Sequence, residues 1–264
     1  MSFSGKVVLV TGASSGIGAA TALLFSKEGA QVAIVGRNEE KLNKVRQMCA
    51  ALDSDPLVIK ADVANEEEAS TIIQQTVGHF GQLDVLVNNA GIMRAMAVSD
   101  PNILQVFDEV MNTNLRSIVQ LTSLAVPHLE VTKGNIVSVS SIAAMSVSGS
   151  NFMPYCVSKA ALDQFTRCAA LDLAPLGIRV NTVNPGPVKT DIVENSGLAP
   201  PGADDVVWEV MKKSTVLGRV SDPEEIAEII AFLASDKARG VTGSSYVSDN
   251  GGLINRQLLG QKVN

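Results

Sequence analysis

The chain has little of what several common chemistries need. It carries three cysteines (Cys49, Cys156 and Cys168) and two histidines (His79 and His128) in 264 residues. Three thiols cannot form a paired framework, and none stands in a C-x-x-C or Cys/His metal spacing. They read as reduced thiols in or near a core, and no metal is expected. The histidines lie far apart, each near the end of a predicted helix, so neither a zinc centre nor a Ser-His-Asp triad can be assembled readily. Basic charge is scarce as well: 21 Lys and Arg face 27 Asp and Glu, a formal net charge of −6, with no basic run. Nucleic-acid binders show the opposite sign clustered on one face, so no such partner is expected. Long hydrophobic runs are missing. The longest uncharged stretch, 134–158, holds seven serines plus glycine, asparagine and proline, which is wrong for a membrane span. The opening MSFSGKVVLV lacks a basic stretch before a leader-like apolar run, and no Asn-x-Ser/Thr acceptor occurs. The expected location is cytoplasmic.

What the chain does have is enough apolar mass for a full core: 46% hydrophobic and 18% charged residues exclude disorder. Short β-branched runs at 7–10, 32–35, 57–59 and 85–87 are apolar over consecutive positions, and those at 136–139 and 180–183 are interrupted only by Ser138 and by Asn181 and Thr182. Strands buried on both faces of a parallel sheet read this way. Segments with helical spacing (19–29, 39–51, 66–80) lie between them, so the rhythm predicts an α/β, doubly wound, Rossmann-like sheet with helices on both faces. Ser221-Asp222-Pro223-Glu224 combines a capping-box spacing with a first-turn proline and predicts a helix to about residue 233. Residues 187–218 break the rhythm with three prolines and a short apolar helical piece around Val206, Val207, Trp208 and Met211. They read as an insertion at the C-terminal edge of the sheet, where such folds keep their ligands. No repeat or linker marks a second unit, so 1–264 is expected to be one domain.

The first strand runs into Thr11-Gly12-Ala13-Ser14-Ser15-Gly16-Ile17-Gly18, and a helix follows. Gly12 permits a tight turn, Gly16 lets backbone approach a pyrophosphate, and Gly18 lets helix and strand pack closely. Amides at the helix start and the helix dipole then favour phosphate. The spacing is GxxxGxG, not the more familiar GxGxxG. The second strand ends at Gly36-Arg37-Asn38, where an NAD-selective site would place Asp or Glu to accept from the ribose 2′-hydroxyl. Glycine leaves room, and Arg37 can form charge-assisted bonds to a 2′-phosphate. NADP(H) is therefore favoured over NAD(H), with Asp62 and Val63 expected to flank the adenine.

These motifs, with Asn88-Asn89-Ala90-Gly91, Asn114, Ser140-Ser141, Tyr155-Cys-Val-Ser-Lys159 and Asn184-Pro185-Gly186 followed by Thr190, resemble the short-chain dehydrogenase/reductase family from Lys6 to about Gly252. The resemblance implies an oxidoreductase that moves hydride between a nicotinamide and a carbonyl or alcohol, as a homotetramer or homodimer, the tetramer favoured. It assigns Ser141 to hold the substrate oxygen near Tyr155. Ser141 precedes the tyrosine by 14 positions where 13 is more usual, and Ser140 is the alternative. It assigns Asn114 to a water that relays protons through Lys159, and Asn89, Ala90 and Gly91 to a close backbone approach to the cofactor, Asn89 being partly a stabilising residue. It assigns Pro185, Gly186, Thr190 and the backbone of Val188 to fix the nicotinamide carboxamide, which decides the ring face that delivers hydride.

The chemistry at Tyr155 follows from the residues themselves. Tyr155 and Lys159 are four apart on a helix opened by Pro154, so they share a face. A phenol titrates near 10, and moving it to about 7 takes roughly 4 kcal/mol. One ammonium at about 4 Å, with an effective dielectric near 20, supplies that much, which predicts a Tyr155 made acidic by Lys159 and usable as general acid or base. Ile92, Met93, Met96, Met145, Phe152, Met153, Leu198, Trp208 and Met211 predict an apolar lining suited to a hydrophobic ketone or alcohol. Arg94 reads as a solvent-facing arginine, and residues 254–264 extend past the final strand. The competing readings are an NAD-dependent alcohol or steroid dehydrogenase on the same scaffold and a non-catalytic nucleotide-binding protein.

Overall fold

A computed structural model describes residues 2–147, 149–193, 196 and 204–255. Seven parallel strands form one sheet: β1 (Val7–Thr11), β2 (Gln31–Gly36), β3 (Leu57–Lys60), β4 (Val85–Asn88), β5 (Asn135–Val139), β6 (Arg179–Pro185) and β7 (Ser245–Ser248). Their spatial order is β3-β2-β1-β4-β5-β6-β7, so the direction of winding reverses between β1 and β4. In open α/β sheets the crevice above such a reversal, at the carboxyl ends of the strands, is where ligands sit.

The consecutive apolar runs have their explanation in the layers. All five residues of β1 and of β5 are buried. Leu9 packs on one side with Ile72, Leu121 and Leu129, while Val10 packs on the other with Phe25, Ile226 and Ile230. The first face is covered by α3 (Glu66–Phe80), α5 (Ser117–Thr132) and α6 (Met153–Leu173). The second is covered by α1 (Gly16–Lys27), α2 (Glu39–Ala50) and α8 (Pro223–Ala234). Truncating a core residue such as Leu9 to alanine costs about 2–5 kcal/mol.

Two elements differ from expectation for clear reasons. β7 escapes a search for apolar runs because it is an edge strand reading Ser-Tyr-Val-Ser, with Tyr246 and Val247 exposed. The capping box sits one residue later than its spacing implied. Asp222 is the N-cap, its amide donating to Glu225 Oε1 at 3.0 Å, and Pro223 opens the helix. The apolar piece of the insertion is α7 (Asp204–Lys213), and Val188 pairs with Ser221 beside it. Leu198 and residues 256–264 fall outside the described residues. No helix among the described residues is long and apolar enough to cross a membrane.

After a non-helical stretch at 89–102, the chain between β4 and β5 is one continuous helical run from Ile103 to Thr132. α4 (Ile103–Met111) passes into a π turn at Asn112–Arg116 and then into α5. π turns inside helices occur often at functional sites, and this one carries Asn114.

Candidate active site

Above the winding reversal lies a cleft of about 500 Å³ that runs from Arg37 and Asn38 at one end to Ser141, Tyr155 and Lys159 at the other. Gly12 and Gly16 border it, and Gly18 packs just beneath against Gly12 and Asn89, each at a place where a side chain would clash. Gly12 has φ +64, and a Cβ there would stand 2.8 Å from Ala90 Cα. A Cβ on Gly18 would stand 2.3 Å from Gly12 O and 2.5 Å from Asn89 Nδ2. Asn89 locks this arrangement by donating from Nδ2 to Thr11 O (2.9 Å) and Gly12 O (3.1 Å). Thr11 Oγ1 in turn accepts from the amides of Asn89 (3.0 Å) and Ala90 (3.1 Å). The side chain of Asn89 is thus spent on tying β1 to the turn after β4, and the backbone of Ala90 and Gly91 forms the cleft wall. A cradle that any Cβ would fill, opening onto the first turn of α1, suits the pyrophosphate of a dinucleotide.

At the adenosine end, Ser14, Ser15, Gly36, Arg37, Asn38, Asp62 and Val63 all border the cleft. Arg37 is largely exposed and stands 3.6 Å from Asp62 Oδ2, while Asp62 Oδ1 accepts from the Ala64 amide at 2.9 Å. The Asn38 side chain caps α2, accepting from the Lys41 amide at 2.9 Å, so its part in the cleft is to shape the turn. Lys41, on the first turn of α2, also borders the cleft and reaches across it to Asp191 Oδ2 at 2.6 Å. Neither residue of that pair was legible in the sequence, where 150 positions separate them.

The reacting end gathers residues from four segments. Tyr155 and Lys159 lie on the buried face of α6. Lys159 Nζ donates to Val139 O at 2.8 Å and stands 5.7 Å from the Tyr155 ring centroid. Ser141 lines the cleft together with Tyr155 and caps the short 3-10 turn Ile142–Ala144 by accepting from the Ala143 amide at 3.1 Å. Ser140 Oγ instead points to Lys159 O at 3.4 Å, which separates the two serines by geometry. Asn114 is fully buried. Its Oδ1 accepts from the Ile92 amide (2.8 Å), and its Nδ2 donates to Ile92 O (2.9 Å) and Ser158 Oγ (3.1 Å). It holds the loop after β4 against α6. Gly91 lies between Asn114 and Lys159: a Cβ there would meet Asn114 Oδ1 at 3.4 Å and Lys159 Nζ at 3.6 Å. Pro185, Gly186, Val188 and Thr190 border the cleft opposite.

The electrostatics correct one expectation. Burial is the largest influence on Tyr155 and pushes its pKa up, with the Ser141 hydrogen bond pulling the other way and Cys156 adding to the rise. The sequence argument placed the ammonium at contact distance in a fairly polar medium. In the fold the same burial that excludes water disfavours both charged forms. Lys159 is brought from 10.5 down to about 8 by burial, with Asp163 opposing the fall. At neutral pH the pair is a protonated phenol beside an ammonium.

The apolar lining is only partly as expected. Ile92 and Met93 border the cleft together with Thr113 and Ile192, whereas Met96, Met145, Phe152, Met153, Trp208 and Met211 are not among the residues that do. Arg94, expected to face solvent, lies in the cleft wall and donates to Met93 O (3.0 Å) and Glu109 Oε1 (3.0 Å).

Residues 12–252 match the family described as enoyl-(acyl carrier protein) reductase. The chain is 36% identical over 258 residues to the 3-oxoacyl-(acyl-carrier-protein) reductase FabG of Thermotoga maritima, covering 96% of this chain and 100% of that one. Its fold is similar to that of a short-chain dehydrogenase/reductase of unknown function from Caenorhabditis elegans, solved with cofactor. The TM-score is 0.93 at 37% identity over 99% of this chain and 100% of the other. A short-chain dehydrogenase from Burkholderia cenocepacia in complex with NADP superposes with a TM-score of 0.86, at 33% identity over 96% of this chain and 100% of the other.

Proposed function

The chain belongs to the short-chain dehydrogenase/reductase family, and from that premise we propose that it transfers hydride between NADP(H) and the carbonyl or alcohol group of a hydrophobic small molecule. The observation that carries this reading is the meeting of the glycine cradle with Ser141, Tyr155 and Lys159 in one cleft. NADP(H) is favoured because β2 ends in Gly36 followed by Arg37, where an acidic residue would otherwise accept from a ribose 2′-hydroxyl, and Arg37 stands beside Asp62 at the mouth of the cleft. The structural relative solved with NADP supports it. Ile92, Met93 and Ile192 favour an apolar substrate.

With its pyrophosphate in the cradle, a bound dihydronicotinamide cofactor would supply the hydride. The chain's own residues then handle the oxygen. In the direction of reduction, Ser141 Oγ holds the carbonyl oxygen beside the Tyr155 hydroxyl, and Tyr155 gives its proton to that oxygen as hydride arrives. A phenol kept protonated by burial is suited to this donor role. Lys159, an ammonium below about pH 8, stabilises the phenolate left behind and resupplies its proton. Thr190 and the Val188 backbone, which border the cleft, would hold the carboxamide, and Asn114 keeps the Ile92 loop closed against α6.

The test is a screen of apolar ketones and alcohols with NADPH, NADH and their oxidised forms, run on the wild type and on Arg37→Asp. We expect turnover with NADPH and a shift of at least tenfold toward NADH in the variant, about 1.4 kcal/mol. An unchanged coenzyme ratio would show that another group reads the 2′ position.

A further inference from the structure

One buried carboxylate lies just outside the reacting centre. Asp163 is one helical turn beyond Lys159 on α6, and both side chains are buried. Spacing of four puts them on one face of the helix. Asp163 Oδ2 accepts from Asn184 Nδ2 at 2.8 Å and from Ser245 Oγ at 3.3 Å. Asp163 Oδ1, equally buried, makes no hydrogen bond among the described residues. Asn184 spends its other amide proton on Ser141 O at 3.1 Å, and its Oδ1 accepts from Thr182 Oγ1 at 2.9 Å. The Asp163 carboxylate and the Ser141 carbonyl can only accept, which fixes which way the amide faces and commits both Nδ2 protons to them. A continuous chain therefore runs from the carboxylate, through the end of β6, to the backbone of Ser141 at the end of β5, with β7 joined through Ser245.

We propose that Asp163 is a positioning residue for the reaction: through Asn184 it sets the place of Ser141, and as a buried negative charge it holds the ammonium of Lys159. A buried carboxylate with one oxygen lacking donors is costly unless a cation compensates it. Lys159, buried one turn away on the same helix face, is the cation assigned to that role. The other charged groups on elements packed against α6 are Asp108 and Glu109 on α4, Arg116 in the π turn and Arg179 on β6. The first three are exposed, Glu109 and Arg116 being engaged by Arg94 and Glu66, and the half-buried Arg179 guanidinium donates to Val241 O, Leu233 O and Ser235 O. On α6 itself Arg167 and Asp172 are exposed, Arg167 being bonded to Gln164, and past β7 Asp249 is spent on the amides of Gly251 and Leu253. Two separable consequences follow. Loss of the charge lets Lys159 shed its proton at lower pH, since Asp163 opposes the effect of burial on it. Loss of the Asn184 link loosens Ser141 without touching that charge.

This inference rests on the proposed oxidoreductase reading, and its test separates the two. Asp163→Asn keeps the size and an acceptor for Asn184 but removes the charge. We expect the alkaline limb of the kcat profile for carbonyl reduction to move down by about two pH units, the scale for unit charges about 6 Å apart at an effective dielectric near 20, with KM for NADPH little changed. Asn184→Ala should lower kcat about tenfold and leave the limb where it is. Independently of turnover, urea midpoints near neutral pH are compared for Asp163→Asn, Lys159→Met and the double variant. Each single change strands a buried charge and the double strands none, so the double should lose less than the sum of the singles. Additive midpoint losses, or an unmoved limb in Asp163→Asn with unchanged kcat in Asn184→Ala, overturn the proposal. A wild type that reduces no carbonyl defeats the functional reading instead, and the midpoints still judge Asp163.

Discussion

Replacing Gly18 by alanine isolates what the cradle requires. The added carbon would stand 2.3 Å from Gly12 O and 2.5 Å from Asn89 Nδ2, both under the 3.0 Å that Cβ atoms essentially never breach. Neither neighbour yields cheaply. Gly12 O belongs to a turn held at φ +64, and Asn89 Nδ2 is hydrogen-bonded to Thr11 O and Gly12 O. Overpacking of this kind costs about 1–3 kcal/mol, and a strained hydrogen bond adds about 1. Alanine recovers up to about 1 in helix propensity. The net loss is about 1–3 kcal/mol, which in a domain of this size lowers Tm by about 3–9 °C. Because the atoms displaced line the cradle, NADPH affinity falls by about tenfold or more. Gly78 supplies the opposite case. It is exposed near the end of α3, and nothing lies within 4 Å of a Cβ built on it. Gly78→Ala should raise stability by about 0.5–1 kcal/mol through helix propensity alone and leave NADPH binding unchanged. Thermal melts and NADPH fluorescence titrations measure both. A Gly18→Ala protein that melts and binds like the wild type refutes the steric reasoning.

Two further predictions follow from the cleft's charges. Lys159 holds its proton less firmly when folded (about 8) than when unfolded (10.5), so between those values the unfolded chain binds a proton that the folded chain does not, and stability contributed by this group rises with pH. The stability of wild type relative to Lys159→Met should therefore climb across that window in urea titrations, while reductase activity declines as pH passes about 8; a flat difference contradicts the assignment. Asp191→Asn removes a carboxylate from a groove that takes a polyanion and releases Lys41, now held at 2.6 Å. Both groups are partly exposed, so NADPH affinity should rise only about threefold at low salt and lose the gain as salt screens it. A drop in affinity would mean that the pair supports the bound state.

The parts of the molecule that were legible in the sequence are those set by local pattern. Four strands hold continuous apolar runs because the sheet is buried on both faces, those of β5 and β6 are broken only by buried Ser138, Asn181 and Thr182, and the GxxxGxG turn reads directly as a place with no room for side chains. β7 was not legible because an edge strand reading Ser-Tyr-Val-Ser has a wet face and no run to find. The substrate wall was misjudged because chain proximity to a ligand loop does not tell which methionines turn inward. Met93 does and Met145, which is exposed, does not. The long-range pairs, Lys41 with Asp191 and Asp163 with Asn184, exist only once the sheet brings distant segments together. Burial itself is the property that local pattern reveals least, and it reverses the expected direction at Tyr155: spacing showed that a cation stood one turn away but not that both groups had left water.

The central claim is that the Tyr155 hydroxyl delivers the proton. Tyr155→Phe removes that oxygen and retains the ring, so the measurement is carbonyl-dependent NADPH oxidation by this variant beside its NADPH affinity. Turnover should fall by at least about a thousandfold, within the range that positioned acid–base groups contribute, with affinity within about threefold of wild type. Turnover that survives in the phenylalanine enzyme, with coenzyme still bound, contradicts the account.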